Sequence, residues 1–530
     1  MFISNESALG GAATSLIDMI KGLQRKGIKC VVIIPSQGIL EECLQEVSVS
    51  YYIVNFSNGY GAIGKTNSED EDLNFYDNYA AAIQLQDIIK KENIDLIHIN
   101  SSVSNVGAFA ALMAGIPYVW HFREMLEEDF DCEFWDKQLK KELINRSDCI
   151  ISISKTVQES YKRKYEIESV CVYDGVDAER YKGKIAWENN EQHKFIITGV
   201  ISQNKGQWDA VKAIATLVNR GVKNVHLSLL GRSSGRITWI MKQFIRENNL
   251  EEYISIVPFQ KNLKAYREGS IYSLTTSKME ALGRCTIEAM LAGNVVIGAD
   301  TGGTLEIIGD DGNRGYLYKQ GDYESLADTM YQAITDSADI KRRYLENAQK
   351  YAEATFSLDK YADNIVEIYQ RVLEQYDNME DLTERRLILE NLESRFLSLE
   401  NVNKKTPAKK SSFSEIQQTW RRLQEKGIFI ADYFEKRNLQ NIAIYGMGNL
   451  GCQLYDEIMS SDMLHVKYVI DQNDAGLGEY IKVTKPEERL ENIDILVVAM
   501  SAGEQEIINQ YKGNDYIVVS IAEILDKLQE

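Results

Sequence analysis

Ten short apolar runs alternate with longer amphipathic stretches between the N-terminus and about Asp322. They read CVVIIP, DLIHIN, YVWHF, DCIISIS, SVCVYDGV, KFIITGV, VHLSLLG, ISIVPF, IYSLTTS and NVVIGAD. Such runs are typical of strands buried on both faces of a parallel sheet, and the stretches between them have the helical period. The polar segment KIAWENNEQHK separates two series, so the pattern predicts an α/β chain with two doubly wound Rossmann-like domains, 1–182 and 183–375. The cleft at the carboxyl ends of their strands is the predicted ligand site.

A third, small Rossmann-like domain is predicted at residues 436–530. It opens with NIAIYGMGNLGCQLYDEI, a strand followed by Gly446, Gly448 and Gly451 in the G-x-G-x-x-G arrangement and then a helix. Asp471 comes twenty residues after Gly451, the spacing of an acid that meets a ribose hydroxyl. NAD or another nucleotide is therefore a candidate ligand of this accessory domain. No catalytic constellation follows, and the same glycines could serve only to bring the helix close to the strand.

The segment 376–435 has a helical pattern and is predicted to be a linker; it contains the polar, basic stretch NKKTPAKKSS. Apolar residues recur in it with the 3.5-residue period of a coiled coil, at Leu382, Leu389, Leu392, Phe396 and Leu399. Two interpretations stay open. A short coiled coil would join two copies of the chain as a homodimer, whereas a long helix could instead pack on its own domain.

Composition excludes several function classes. The formal net charge of -20 argues against nucleic-acid binding, which rests on clustered Lys and Arg. The seven cysteines are scattered without a C-x-x-C pair, which predicts reduced thiols rather than a disulfide framework or a zinc site. No apolar run has the length of a membrane-spanning helix. These features together predict a cytoplasmic protein.

Two glutamates flank a glycine in the segment MEALGRCTIEAMLAGNVVIGADTGG. Glu280 precedes Gly283, where a helix is predicted to begin, and Glu288 falls in the first or second turn of that helix. Free backbone N–H groups and the helix dipole favour an anion at such a start. Because carboxylates accept hydrogen bonds from hydroxyl groups, the segment suits a ligand with both phosphates and sugar hydroxyls, such as a nucleotide sugar. Taken alone, an ordinary helix with capping acids is the alternative.

Glycines and a lysine precede two other predicted helices. Gly199 ends a strand in TGVISQNKGQWDAVKAI, and Lys205 stands just before the helix, where an ammonium can meet a diphosphate as a point charge. Gly10 and Gly11 precede the helical pattern AATSLIDMIKGLQRKG, where backbone can approach a ligand closely. Each of these motifs by itself is a weak indication of a ligand site, but the order in which they follow one another along the chain is a more specific indication.

In this order the residues resemble the retaining GT-B glycosyltransferases of family four, from Met1 to about Tyr369. The most specific part is EALGRCTIEAMLAGNVVIGADTGGTLEII, which has the family's two glutamates separated by seven residues. The resemblance implies that Glu280 contacts hydroxyls of the transferred sugar, that Glu288 contacts the ribose and that Lys205 contacts the diphosphate.

The resemblance also implies roles for residues of the N-terminal domain. Gly10 and Gly11 match the family's glycine loop, and His121 in YVWHFRE matches a histidine that reaches the donor sugar. Without the resemblance, His121 is more typical of a satisfied residue at a strand end.

The chain departs from the family pattern at two positions. Val200 stands where the family has an arginine after the glycine matched by Gly199, so one phosphate-neutralising charge is missing. Arg284, next to Gly283, or Arg232 could supply it. Asp174 stands where the family usually has Asn, which leaves the contacts of that loop open.

The tripeptide DFD at Asp129 to Asp131 is similar to a metal motif of another transferase class. Three-residue patterns recur by chance in acidic chains, and the resemblance implies that Lys205 and helix dipoles handle the leaving-group charge. We therefore predict catalysis without a metal or other cofactor, with no metal ligands in the site.

Basic residues cluster in the N-terminal domain, at Lys137, Lys140, Lys141, Arg146, Lys162, Arg163 and Lys164. One interpretation is a peripheral contact with anionic lipid at the inner membrane face, which would suit a lipid-linked acceptor. The other is a set of solvated helix faces with neighbouring acids.

These observations predict a GT-B hexosyl/glycosyltransferase that retains configuration. It would move a sugar from a nucleotide sugar to a glycan or lipid-linked acceptor in surface polysaccharide biosynthesis. The alternative is a non-enzymatic, nucleotide-sensing scaffold that uses the coiled coil and the third Rossmann-like domain.

Overall fold

The protein is described by a computed structural model that covers residues 1–64, 68–183, 192–232, 235–260, 262–377, 383–403, 413–425, 428–459, 461, 463–472, 481–500 and 503–529. These residues form two compact units. The first comprises Met1–Gly199, Asn204–Leu229 and Gln260–Thr406, and the second comprises Val200–Gln203, Leu230–Phe259 and Pro407–Glu530. Most of KIAWENNEQHK and NKKTPAKKSS, together with Leu382, lies outside the described residues.

The first sheet of the first unit is parallel and has the strand order β3-β2-β1-β5-β6-β8-β9. Its strands, together with the antiparallel pair β4 and β7, are β1 Phe2–Ile3, β2 Val31–Ile34, β3 Ser50–Ile53, β4 Tyr60–Ala62, β5 Ile97–Ile99, β6 Tyr118–Phe122, β7 Cys132–Phe134, β8 Cys149–Ser152 and β9 Val170–Cys171. The helices of this part are α1 Gly11–Arg25, α2 Ile39–Glu46, α3 Ser68–Glu92, α4 Val106–Ala114, α5 Leu126–Phe130, α6 Lys137–Asn145, α7 Lys155–Tyr165 and α8 Ala178–Tyr181. Central strands such as β2 and β6 are buried throughout, as their continuous apolar runs predict.

The second sheet of the first unit continues the same alternation, with the strand order β11-β10-β13-β14-β15. The elements from here to the end of the unit, with α10 and β12 of the second unit in chain order, are β10 His193–Thr198, α9 Gln207–Asn219, β11 Val225–Leu230, α10 Gly235–Glu247, β12 Ile254–Val257, α11 Lys264–Glu268, β13 Tyr272–Thr275, α12 Arg284–Ala292, β14 Val295–Ala299, α13 Gly302–Ile308, β15 Tyr316–Tyr318, α14 Tyr323–Thr335, α15 Ala338–Thr355, α16 Leu358–Asp377 and α17 Thr383–Asn403. Two parallel, Rossmann-like sheets are therefore present, and the predicted fold class is confirmed.

Helices α16 and α17 pack on the N-terminal sheet region rather than extending away from it. Tyr361 and Ile365 of α16 belong to the core formed with α1, although the sequence placed them in the 183–375 domain. Ile388 and Leu392 of α17 are buried in the core that contains α3 and α4, and Phe396 packs against it. The structure thus favours the helix that packs on its own domain over the coiled coil, because this seam already has an apolar partner.

The second unit contains a parallel sheet with the strand order β18-β17-β16-β19-β20. Besides α10 and β12, its elements are α18 Phe413–Glu425, α19 Ile430–Glu435, β16 Asn441–Tyr445, α20 Asn449–Ile458, β17 His465–Ile470, β18 Val483–Thr484, β19 Ile495–Val498, α21 Glu504–Tyr511, β20 Ile517–Ser520 and α22 Ile521–Gln529. The small Rossmann-like domain predicted at 436–530 is thus present as a sheet with helices. It shares its unit with residues 230–259, which the sequence assigned to the second domain.

None of the described helices combines the length and the apolar character that a bilayer crossing requires.

Candidate functional site

Lys205 and Glu280 meet at the carboxyl ends of two neighbouring strands of the first unit. Lys205 follows β10 and Glu280 follows β13, and the Lys205 Nζ atom lies 3.0 Å from the Glu280 Oε1 atom. Their side chains are 28% and 18% exposed, so the pair is shielded yet open to a ligand. Burial opposes the charged ammonium, but Glu280 and Asp129 outweigh it and raise the pKa of Lys205. The lysine is therefore a fixed positive charge at neutral pH.

A tight backbone contact brings the two loops together. Gly206, the residue before α9, has a φ of +65°, and a Cβ atom at this position would lie 1.9 Å from the carbonyl oxygen of Thr276. The Thr276 hydroxyl donates to the Lys205 carbonyl at 2.9 Å, and the Lys278 amide donates to the Asn204 carbonyl at 2.8 Å. Only glycine permits this approach, and the approach sets Lys205 beside Glu280.

Helix α12 begins where the sequence predicted, with Gly283 as its N-cap and no side chain capping its first N–H groups. Glu280 precedes the helix in a loop, and Glu288 lies in its second turn. The helix start therefore offers unpaired N–H groups to an anion close to Lys205.

Asp129 of α5 completes the surroundings of the pair. Its Oδ1 atom lies 3.9 Å from Lys205 Nζ, and its backbone carbonyl accepts a hydrogen bond from Asn204. Burial raises the pKa of Asp129 to about 7, with Lys205 opposing and Glu280 adding to the shift. The DFD motif therefore lies in this site, but among the described residues no group of His, Cys, Asp or Glu could hold a metal ion.

Glu288 is buried and already paired. Its Oε2 atom accepts from Arg267 at 3.0 Å, and its Oε1 atom accepts from the Tyr181 hydroxyl at 3.1 Å. Arg267 is 1% exposed. The implied contact of Glu288 with a ribose stays a prediction. For this contact, a carboxylate oxygen of Glu288 would have to accept from the ribose hydroxyl while it also accepts from Arg267 or Tyr181.

Arg284 lies in a buried ion-pair network and not at an open surface. Its guanidinium lies 2.6 Å from Asp18 of α1, 3.8 Å from Asp174 and 4.0 Å from Glu288. Asp174 also pairs with Arg123 at 2.7 Å. The idea that Arg284 replaces the missing phosphate-binding arginine is therefore not supported by this geometry, because carboxylates surround the guanidinium. Asp174, whose contacts the sequence left open, lies close to Arg123 and Arg284.

His121 is fully buried at the end of β6. Its Nδ1 atom lies 3.2 Å from both Arg123 Nη2 and His98 Nε2, while its Nε2 atom has no hydrogen-bond partner. Burial, Arg123 and His98 hold the pKa of His121 well below its usual range, so the ring is neutral. The structure brings His121 to Arg123 and not to Glu280 or Lys205, and its contact with a donor sugar stays a prediction.

The remaining glycines of the predicted site lie at strand ends and helix starts. Gly10 is the N-cap of α1 without a side-chain cap, and Gly11 begins that helix. Gly199 follows β10 with a φ of +135°. These positions at strand ends and helix starts are those that the sequence indicated, and the approach of their backbone to a ligand stays a prediction.

In the second unit, Gly446, Gly448 and Gly451 join β16 to α20 as the motif predicts. Gly448 is the N-cap of α20, and a Cβ on Gly451 would lie 2.0 Å from the Gly446 carbonyl oxygen. The Asp471 Oδ2 atom accepts a hydrogen bond from the Met447 amide at 2.7 Å. The acid therefore bonds to the glycine loop itself.

The basic cluster of the N-terminal domain is largely neutralised. Lys140 is buried, donates to the Ser102 carbonyl at 2.8 Å and lies over the Trp120 ring, and burial lowers its pKa to about 7. Lys137 pairs with Glu133, and Lys164 pairs with Glu127 and Glu128. The structure favours helix faces with neighbouring acids over a lipid-binding patch.

Sequence reasoning missed the residues that hold the site together. Asp18, Arg123 and Arg267 are buried ionic residues that no motif singled out. Asp18 does carry a signal, since a lone acid interrupts the apolar stretch SLIDMI of an amphipathic helix. The other two give none, because their partners are remote in the chain.

The architecture of the first unit is that of solved GT-B glycosyltransferases. The Anabaena protein HepE, crystallised with UDP and glucose, is 22% identical with a TM-score of 0.58, and the match covers 70% of this chain and 98% of HepE. The two parallel sheets thus give the chain the fold of the GT-B glycosyltransferases.

The family follows from sequence matches. Residues 9–180 match Glycosyltransferase Family 4, and residues 179–351 match Glycosyl transferases group 1. The chain belongs to the family-four glycosyltransferases of GT-B fold. An uncharacterized glycosyltransferase of Methanocaldococcus jannaschii is 22% identical over 291 residues, which cover 54% of this chain and 78% of that protein. For another from the same organism, 21% identical over 249 residues, the match covers 45% of this chain and 62% of that protein.

Proposed function

We propose that this chain transfers a sugar from a nucleotide-sugar donor to a glycan or lipid-linked acceptor, with retention of configuration, in surface polysaccharide biosynthesis. The observation that carries the proposal is the Lys205–Glu280 pair, 3.0 Å apart and partly exposed, beside the uncapped start of α12. Family membership supports the same reaction class.

The two charges of the Lys205–Glu280 pair suit different parts of the donor. The diphosphate would lie against the Lys205 ammonium and the first N–H groups of α12, where positive charge and unpaired donors meet. Glu280 would then exchange its bond to Lys205 for hydrogen bonds from sugar hydroxyls. When the bond from the anomeric carbon to the diphosphate oxygen breaks, negative charge develops on that oxygen, and Lys205 stabilises it.

The acceptor oxygen forms the new bond to the anomeric carbon, and its proton leaves with the diphosphate or to solvent. Catalysis in this scheme comes from positioning and leaving-group stabilisation. Retention of configuration rests on the family resemblance, and proton NMR of the first-formed product would test it through the coupling constant of the anomeric proton.

A donor screen tests the proposal. UDP-, GDP- and dTDP-sugars are each added to the full chain, and thermal unfolding is followed. Because HepE was also crystallised with UDP-glucose, UDP-glucose is the first donor to try. A ligand at 100 times its Kd adds about 2.7 kcal/mol to the free energy of unfolding. Slow hydrolysis of the stabilising donor is then measured. A nucleotide-sensing scaffold would be stabilised but would release no sugar.

The absence of a metal requirement stays a proposal. Lys205 and the α12 backbone would neutralise the diphosphate, so we expect transfer to persist in EDTA. Loss of transfer in EDTA and its recovery with manganese would instead assign Asp129 and Asp131 to a metal.

A further inference from the structure

The first turn of α10 packs directly on the first turn of α20 inside the second unit. Gly235 begins α10 and Asn449 begins α20. A Cβ atom on Gly235 would lie 2.5 Å from the Asn449 Cα atom and 2.8 Å from its Oδ1 atom. Any larger residue at position 235 would force the two helix starts apart.

The contact continues along both helices. The ring of Trp239, one turn after Gly235, meets the ring of Tyr455 edge to face, with centroids 5.5 Å apart and an interplanar angle of 84°. Trp239 is 2% exposed. The Trp239 side chain of α10 is therefore buried and contacts α20, so the two helices pack against each other beyond their first turns.

Asp471 supplies negative charge where the two helix starts meet. Each helix start carries a partial positive charge, so two of them in contact repel. The Asp471 carboxylate accepts from the Met447 amide of the glycine loop at 2.7 Å and lies 4.0 Å from the Arg236 guanidinium of α10. One acid thus bonds to the loop of one helix and faces the first turn of the other.

A dinucleotide would need the same groups. In a Rossmann site the pyrophosphate lies at the helix start that follows the glycine loop, and the acid after the second strand meets the ribose. Here Gly235 lies against Asn449 at that helix start, and Asp471 is engaged by Met447 and Arg236.

We propose that the start of α20 in the C-terminal Rossmann-like module is a docking surface for α10 of the same chain, and that this contact excludes a dinucleotide. Helix α10 lies within residues 179–351, the segment that matches the group 1 glycosyltransferases. The module therefore holds a helix of the glycosyltransferase sequence through the motif that in other proteins holds a cofactor. This role is independent of the proposed sugar transfer.

Two glycine substitutions separate docking from dinucleotide binding. Gly235→Val places a side chain into the helix contact. Gly448→Ser instead adds a Cβ where no atom lies within 4 Å, and serine is a favoured N-cap residue, so this variant keeps the helix but obstructs a pyrophosphate. Amide hydrogen exchange is compared among the unmodified full chain, Gly235→Val and Gly448→Ser. NAD binding to each of these three proteins is measured by titration calorimetry.

We expect Gly235→Val to exchange at least about tenfold faster in both 235–247 and 449–458, while Gly448→Ser exchanges like the unmodified chain. We expect no heat of NAD binding with the unmodified chain or with Gly448→Ser. NAD binding to the unmodified chain that Gly448→Ser abolishes would overturn the proposal, as would unchanged exchange in Gly235→Val.

If Gly235→Val does not fold, Tyr455→Leu tests the same contact from the module side. It removes the ring that Trp239 meets, so exchange in 235–247 should rise although α10 itself is unaltered. Unchanged exchange there would equally overturn the docking role. Sugar transfer is not a readout of any of these experiments, so failure of the proposed function would not be confused with failure of this inference.

Discussion

Two helix starts in this protein have the same local design and different surroundings. Helix α12 begins after Gly283 and α20 begins after Gly448; both follow a parallel strand, and neither has a side-chain cap. Near α12 lies the partly exposed Lys205–Glu280 pair, whereas Asn449 at the start of α20 packs against Gly235 at the start of α10. A glycine and a helix start provide free N–H groups, but the neighbouring elements decide whether these face a ligand or protein.

The largest expected effect is on the ion pairs near α12. Arg284→Ala leaves Asp18 and Asp174 buried without this partner, and breaking a buried pair typically costs about 3–5 kcal/mol. Urea denaturation would measure the loss in the free energy of unfolding. A double-mutant cycle with Asp18→Ala isolates the pairwise part; a coupling energy near zero would show that the network is not cooperative.

The next effect is on catalysis at the same helix start. Lys205→Ala and Glu280→Gln should each reduce transfer by about a hundred- to a thousandfold, since each removes a preorganised polar group that the proposed function places against the donor. Steady-state kinetics with the stabilising donor would measure it. Lys319→Ala is the matched control, because that lysine is 77% exposed. Turnover close to the unmodified rate in both site variants would refute the donor-site assignment.

The pH dependence of the free energy of unfolding should report on Asp129, which lies beside Lys205 and Glu280. Burial raises the pKa of Asp129 from 3.8 to about 7, so the folded chain binds this proton more tightly than the unfolded chain. Its stabilising contribution is full below about pH 4 and is lost as pH rises through about 7. Asp129→Asn cannot ionise, so its free energy of unfolding should gain on that of the unmodified chain between pH 4 and 7, by on the order of 1 kcal/mol or more. A constant difference across this range would contradict the raised pKa.

The smallest effect concerns the charge pair at α20. Arg236 lies 4.0 Å from Asp471, farther than the 2.6 Å between Arg284 and Asp18, so Arg236→Ala should lower the free energy of unfolding less than Arg284→Ala does, by about 1 kcal/mol. The packing of Gly235 and Trp239 would remain. Urea denaturation of Arg236→Ala and Arg284→Ala in parallel compares the two helix starts directly. Equal losses in the free energy of unfolding would contradict the difference in charge environment that we describe for them.

Much of the fold could be predicted because buried parallel strands are continuous apolar runs. All ten quoted runs coincide with strands. Strand β3, Ser50–Ile53, was missed although Tyr51, Tyr52 and Ile53 are apolar; it lies at the sheet edge and is only partly buried, unlike the central strands. The seam of α17 carried a heptad spacing, but spacing does not say which apolar surface it meets.

The candidate site was predicted in its residue types and only partly in its contacts. Glu280, Glu288, Gly283 and Lys205 lie where the pattern predicted, at strand ends and a helix start. Glu288 and His121 turned out to be buried with protein partners. Sequence reasoning could not find this, since burial depends on elements far away in the chain.

The sequence by itself determined the strand and helix periods, the glycines where backbone must turn or approach closely, and the order of charged residues along the chain. These follow from local sterics and from the alternation of apolar residues. Only the tertiary structure decided that Arg284 meets Asp18, 266 residues away, and that α10 covers the start of α20. Such contacts arise when separate elements pack together, and a pattern within one element carries no record of its partner in another.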